Sequence, residues 1–362
     1  MKYINDFRNY KLSQRVIKEI EALTDNNITI MEVCGTHTMS ICKNGIKELL
    51  PKNIRLISGP GCPVCVTPQS YIDASIELSK RKDVIITTFG DMINVPGSSS
   101  SLKTQRALGS EIKVVYSPLD SLKIARQNLD KEVVFLGVGF ETTAPIIALS
   151  ILKAKDENIS NFSVFQCIKT MPNVMKKLVE DKEINIDGFL CPGHVSAIIG
   201  ARAFEFLSSE FNIPCVVAGF EYNDIIYAIY MIANIIAKGE SEIKNIYGRF
   251  VKYEGNEKAQ HIISKIFTSS GSSWRGLGYI DGTGLELNEE YKNYDAKEKF
   301  NLNMVNLDIA TGCICEEVLK GIKEPTDCKL FHRVCNPSNP VGACMVSQEG
   351  ACGIYYKFRL DK

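Results

Sequence analysis

The 362-residue sequence has no run of about 18 uncharged apolar residues, the length a membrane-spanning helix requires. Its opening stretch, MKYINDFRNYK, lacks the apolar core of a secretory signal. There is no surplus of charge of either sign. Lys plus Arg number 42 and Asp plus Glu number 42, which removes the electrostatic case for a nucleic-acid or anionic-membrane partner. A second CxxC is missing, so the paired short spacings of a zinc ribbon cannot be completed. These absences predict a cytoplasmic protein; it is expected to be monomeric on its own. In that compartment thiols stay reduced, and clustered cysteines signal metal binding or catalysis rather than structural disulfides.

Cysteine is what the sequence has in quantity. There are 13, an odd number that also argues against a simple disulfide framework. Six lie in the last fifty residues: Cys313, Cys315, Cys328, Cys335, Cys344 and Cys352. Others stand far upstream, in Cys34-Gly-Thr-His37 and in Gly59-Pro-Gly-Cys62-Pro-Val-Cys65. The pairing of a tail cage with an upstream dithiol points to thiol, metal and electron chemistry rather than hydrolysis.

A repeated pattern organises the first two thirds of the chain. Short β-branched runs at 28–33, 54–58, 84–88, 133–136, 188–190 and 214–218 each end in a Gly-containing loop followed by a helix-like stretch. Such short, continuous apolar runs suit strands buried on both faces of a parallel sheet. Their alternation with helices implies βαβ units and an α/β fold. Ligand sites in these sheets lie beyond the carboxyl ends of the strands. The unusual polar residues fall there: Cys34, His37, Cys62, Cys65, Asp91, Glu141, Thr142, Cys191, His194 and Glu221. The expected organisation is an N-terminal helical segment (1–27) packed on the third domain, an α/β domain with the CGTH and CPVC loops (28–117), and a second with the GFETT and CPGH loops (118–235). A mostly helical and irregular cysteine-rich domain (236–362) completes it, and Ser117-Pro118 marks the division between the α/β halves.

Each motif admits more than one chemistry. Cys62-Pro-Val-Cys65 suits a dithiol/disulfide couple, or half of a metal site. Cys34 and His37, three residues apart in a Gly turn, suit a soft metal, a nucleophile–base pair, or a buried thiol beside a hydrogen-bonded imidazole. Glu141 fits proton transfer or, more simply, a cap on the helix that follows it. Cys191 and His194 fit substrate positioning or a structural hydrogen bond. Cys42, Cys167 and Cys215 lack any such setting and read as core thiols. Cys313, Cys328, Cys335 and Cys352 are separated by fourteen, six and sixteen intervening residues. Four thiolates at long irregular spacing can wrap a [4Fe–4S] cube, with structural zinc as the alternative. Cys315, too near Cys313 for easy joint ligation, and Cys344 are left over.

Taken together, CGTHT, GPGCPVCVTP, GFETTAP, CPGHVSAIIG, SSWRGLGYIDGTG and the tail cysteine spacing resemble the HypD family of hydrogenase maturation factors over nearly the whole chain. The resemblance implies two similar parallel-sheet α/β domains facing a cleft, plus a third domain carrying a [4Fe–4S] cluster. It implies help in building the Fe(CN)₂CO unit of [NiFe]-hydrogenase with a small HypC-like chaperone and a HypE-like cyanide donor, itself supplied by a HypF-like protein. On that basis Cys34 becomes a ligand to a transient mononuclear iron carrying CN and CO, tuned or oriented by His37. Cys62 and Cys65 become a redox couple fed by the cluster at Cys313, Cys328, Cys335 and Cys352. A stand-alone iron–sulfur protein-disulfide reductase and a zinc-stabilised binding module are the rival readings.

Overall fold

The computed structural model describes residues 10–23, 25–304 and 312–358. Eleven strands are present among them: β1 (Ile28–Glu32), β2 (Ile54–Ser58), β3 (Val84–Thr88), β4 (Ile112–Val114), β5 (Glu132–Gly139), β6 (Phe162–Ile168), β7 (Gly188–Cys191), β8 (Cys215–Val217), β9 (Ile243–Asn245), β10 (Phe267–Trp274) and β11 (Gly278–Leu287). The β-branched runs form strands because both faces are covered by helices. All five residues of β3 are buried, as are the last seven of β5.

The strands make two parallel sheets, in the orders β2-β1-β7-β8-β9 and β4-β3-β5-β6, and one antiparallel hairpin, β10-β11. In the first sheet Ile30 pairs with Leu56, and in the second Ile86 pairs with Val134. The two parallel sheets repeat one plan. The first strand has the second on one side and the third on the other, so the strand order reverses between β1 and β7 and again between β3 and β5. Crevices open at such reversals, beyond the carboxyl ends of the strands.

Strand pairing does not divide at Ser117-Pro118. β3 to β6 share one sheet, whereas the first sheet is left after β2 and rejoined at β7. Ser117-Pro118 is instead a helix start: the Ser117 hydroxyl accepts the Leu119 N–H at 3.2 Å, and Pro118 opens helix Pro118–Gln127. The N-terminal helix Tyr10–Leu23 also departs from expectation. It lies against helix Tyr222–Ala237 on the first sheet, where Val16, Ile17, Ile20 and Leu23 join Ile225, Ile229 and Ile232. Residues 1–9 of that expected segment, and Thr24, lie outside the described residues.

Beyond β9 come helix Glu257–Ile266 and the hairpin, so this region contains a regular sheet element that its Gly- and Ser-rich sequence concealed. The cysteine-rich tail follows, with short helices Cys315–Leu319, Ala343–Val346 and Ala351–Phe358. It folds back across the molecule. Ala343–Val346 packs on the Pro63–Val66 turn, and Ala351–Phe358 packs on helix Gly35–Lys43. Among the described residues no helix is long and apolar enough to cross a membrane.

Candidate functional site

Cys34 lies two residues past the end of β1 and stands at the N-cap of helix Gly35–Lys43. It is 7% exposed. Its N–H donates to Glu32 Oε2 at 3.1 Å, and the Thr38 hydroxyl donates to Glu32 Oε1 at 2.6 Å. Burial pushes the Glu32 carboxyl up to about 7, against hydrogen bonds from Ser58, Thr38 and the Cys34 N–H. Burial, then the nearby Glu349 and Glu32, push the Cys34 thiol up to about 12. With no metal bound, Cys34 is therefore a protonated thiol, and a soft cation would bind by displacing that proton. His37 is fully buried. Its Nε2 donates to Gly219 O at 3.0 Å, which leaves Nδ1 as a buried lone pair with no hydrogen-bond partner. Burial lowers His37 to about 4, so the ring is neutral.

The CPVC loop leaves β2, the neighbour of β1, and so emerges at the same edge. Cys62 caps the Pro63–Val66 turn, its sulfur accepting the Cys65 N–H at 3.2 Å. The two sulfurs lie 2.7 Å apart, and both residues are buried. The Gly35 N–H donates to Gly61 O at 3.2 Å, tying this loop to the CGTH loop. Gly61 permits the approach: a Cβ there would lie 2.4 Å from the Cys34 nitrogen and 2.6 Å from its Cα.

The tail cysteines meet at one cavity. Cys313, Cys328, Cys335 and Cys352 line it with Ile314, Val318, Leu330, Phe331 and Met345. Cys315 and Cys344 line it as well. Burial and the surrounding Cys315, Cys313, Cys335 and Cys328 push the Cys352 thiol well up. Among the described residues no three His, Cys, Asp or Glu side chains stand ready to hold a single ion. Six thiols around an otherwise apolar cavity fit a cluster, which would take one thiolate at each of several corners. This donor set has no competing polar side chain in the cavity wall, and it would lose its protons as a metal entered.

Cys315 and Cys344, surplus in the sequence reading, turn out to connect the two sulfur centres. The neighbouring Cys315 and Cys65 lower the Cys344 thiol to about 7. Cys65 is pushed up by burial and by its bonds to Cys344 and Cys62. Cys313 is pushed up by its bond to Cys315 and by burial. Cys344, Cys315 and Cys313 share one cavity wall, and the short helix that carries Cys344 packs on the turn that carries Cys65.

The remaining candidates divide. Glu141 does not cap the helix that follows it, Ala144–Asp156. Its Oε1 accepts the N–H of Met171, the first residue of helix Met171–Glu180, at 2.7 Å, while Oε2 is buried without a partner. Burial pushes it up to about 7. The reason is topological: β5 and β6 are neighbours, so the loop after β5 faces the helix start after β6. Thr142 is exposed. Cys191 is fully buried against Cys215, in the core rather than in the cleft. His194 stands at the surface with its ring centroid 4.1 Å from that of Phe220, which also lies 4.8 Å from His37 and 5.9 Å from Tyr247. Cys42, Cys167 and Cys215 are buried thiols.

Sequence reasoning missed Glu349 and Arg275. The Thr36 hydroxyl donates to Glu349 Oε1 at 3.1 Å, and the Ser347 hydroxyl donates to Asp91 Oδ2 at 3.1 Å. Through these two bonds the tail grips the loops after β1 and β3. Arg275 donates to Thr67 O and Gln69 Oε1 just past CPVC. Arg275 lies in the SSWRGLGYIDGTG motif and Glu349 in no motif, but neither's role was legible, because each partner is more than two hundred residues away.

A protein-family model described as "HypD: Hydrogenase formation hypA family" matches residues 11–359. The chain is 43% identical over 368 residues to the hydrogenase maturation factor HypD of Cupriavidus necator, covering 99% of this chain and 97% of that protein. It is 40% identical over 370 residues to the HypD of Escherichia coli, covering 99% and 98%. A putative hydrogenase expression/formation protein of Methanocaldococcus jannaschii is 43% identical over 350 residues, covering 96% and 97%. The chain belongs to the HypD family of hydrogenase maturation factors.

Proposed function

We propose that this chain is the scaffold on which the Fe(CN)₂CO unit of a [NiFe]-hydrogenase is assembled, with a HypC-like chaperone and a HypE-like cyanide donor as partners. The observation that carries the reading is the meeting of the CGTH loop, the CPVC loop and the cysteine-rich tail at one edge of the first sheet. Cys34 holds the iron under assembly, and a thiolate of the HypC-like partner shares it. His37, neutral and fixed by Gly219 O, orients that loop. An open cleft beside helix Gly35–Lys43, lined by Thr36, Met39, Ser40, Lys43, Phe220 and Tyr222, gives the partner a place to approach.

Cyanide arriving as a protein thiocyanate needs two electrons to leave. The Cys62/Cys65 dithiol supplies them: R–S–CN plus two thiols gives R–SH, cyanide, a proton and the Cys62–Cys65 disulfide. The cyanide passes to the iron. Returning the disulfide to the dithiol takes two electrons and two protons. A [4Fe–4S] cluster at Cys313, Cys328, Cys335 and Cys352 would deliver such electrons singly, drawn from an external one-electron donor protein. Cys344 and Cys315, in the cavity wall beside the CPVC turn, would line the path.

The test is an anaerobic optical spectrum with iron and zinc analysis. Brown protein with about four irons per chain is expected. Cys328→Ala or Cys335→Ala should lose the colour and most of the iron, while Cys315→Ala and Cys344→Ala should retain both. Colourless protein with stoichiometric zinc would sink the redox reading in favour of a binding module.

A further inference from the structure

The cysteine-lined cavity has an inner and an outer side. On the inner side Cys315 and Cys344 pack in the same core as Cys62 and Cys65. On the outer side Cys335 packs with Phe331, Met345, Ile354 and Tyr355 in a separate small core, with Cys328 at its margin. The segment from Cys328 to Cys335 closes the outer side. Its Leu330 and Phe331 line the cavity, while Lys329, His332, Arg333 and Val334 are exposed. It is a tight knuckle: the N–H groups of Arg333, Val334 and Cys335 converge on Leu330 O at 3.2, 3.1 and 2.9 Å. His332 takes φ +63°, uncommon outside glycine, and its ring centroid lies 5.4 Å from that of Tyr356, which precedes the exposed Lys357.

The charge of this surface is one-sided. Acidic and basic residues balance over the whole chain, yet residues 328–348 hold Lys329 and Arg333 and no Asp or Glu. Among the described residues Lys329, Arg333 and Lys357 form no ion pair. The flanking acids are engaged elsewhere. Glu324 Oε1 accepts from Lys47 Nζ at 2.6 Å, Asp327 Oδ2 accepts the Glu324 N–H at 2.8 Å, and Glu349 Oε1 accepts from Thr36.

We propose that this knuckle is the docking surface for the external electron donor, and that the donor is an acidic one-electron carrier protein. The inference rests on the cluster reading above. The inner side of the cavity is taken up by the packing on CPVC, so a carrier reaches the centre from the outer side, where Cys328 and Cys335 flank the exposed segment. Unpaired surface cations attract an acidic partner at long range and raise its rate of encounter. Val334, 53% exposed between Arg333 and Cys335, gives the contact a small apolar centre. A surface of this size suits the brief, weak encounters of electron transfer.

Stopped-flow reduction of the cluster-loaded protein by a reduced plant-type ferredoxin, an acidic one-electron carrier, tests this. In the double variant Lys329→Glu, Arg333→Glu the second-order rate constant at low ionic strength should fall about tenfold or more. The wild-type rate should fall as salt rises toward about 0.3 M, and that of the variant should not. Photoreduced deazariboflavin, small and uncharged, should reduce both proteins equally fast. Ferredoxin reducing the variant at the wild-type rate overturns the inference and leaves the cluster reading standing. An equal loss with deazariboflavin also overturns it, because the substitutions would then act on the cluster itself. So does an equal loss in Lys103→Glu, Lys113→Glu, two lysines exposed beside the second sheet, because net charge alone would then be responsible. Wild-type protein without iron overturns the cluster reading and this one with it. Should the double variant fail to fold, carbodiimide crosslinking of wild-type protein to oxidised ferredoxin decides. Mass spectrometry should find Lys329 joined to a ferredoxin carboxylate, and crosslinks confined to other lysines refute the docking surface.

Discussion

Replacing Glu141 with Gln should make folding stability less sensitive to pH in a defined window. The carboxyl is buried, its only side-chain hydrogen bond is accepted from the Met171 N–H, and Oε2 has no partner. Burial raises it from 4.5 to about 7. At about 1.36 kcal/mol per pKa unit, the folded state favours the protonated form by about 3 kcal/mol. Because the folded value lies above the unfolded one, this stability is fully present below pH 4.5 and is lost as pH rises through about 7. Glu141→Gln keeps the acceptor for Met171 and never ionises. Glu32, also raised to about 7, titrates in both proteins, so the difference between them isolates Glu141. Urea unfolding of metal-free wild type and variant at several pH values from 4.5 to 8 measures it. The wild type should lose about 3 kcal/mol relative to the variant across this window. Parallel stability curves would refute the argument that burial sets this carboxyl.

Cys62→Ser or Cys65→Ser should abolish hydrogenase maturation in cells and leave the cluster spectrum intact; full maturation by either variant would return CPVC to a structural turn. In the wild type, reducing the cluster should make both thiols alkylatable, read by mass spectrometry. Gly61→Ala drives a methyl group into the Cys34 backbone, where a Cβ has only 2.4 Å to the nitrogen, and should cost roughly 1–3 kcal/mol in thermal unfolding. Cys34→Ala should remove the iron–cyanide infrared bands from the complex with the HypC-like partner; bands of undiminished intensity would reject Cys34 as the ligand.

Much of the first two thirds was legible because burial on both faces leaves a compositional mark. β1, β2, β3, β5, β7 and β8 coincide with the β-branched runs, and Cys34, Cys62 and Cys65 emerge at their carboxyl ends. β4 and β9 escaped notice as three-residue strands, IKV and IKN, with lysine in each. The hairpin escaped because TSSGSSW shows no apolar alternation; it is held by pairing to β11, with Trp274 Nε1 donating to Thr283 Oγ1 at 2.8 Å. Which strands share a sheet was not legible at all. A local βαβ pattern looks the same whether the next strand joins the present sheet or begins another, so the departure after β2 and the return at β7 leave no trace in composition. The same limit hid Glu349, which sits in the unremarkable stretch Ser347-Gln-Glu349 and acts on Thr36.

The packing of helix Ala351–Phe358 on helix Gly35–Lys43 also bears on how the protein is made. At translation rates of about 5–20 residues per second, Cys34 leaves the ribosome on the order of tens of seconds before Cys352 does. For the first half of that interval β1 lacks its neighbour β7, and almost to its end Thr36 lacks Glu349 and Cys65 lacks Cys344. The nascent chain therefore carries the Cys34, Cys62 and Cys65 thiols before the tail that buries them exists. Only a chain synthesised through its last cysteine can complete the cysteine-lined cavity and the grip of the tail on the CGTH and CPVC loops.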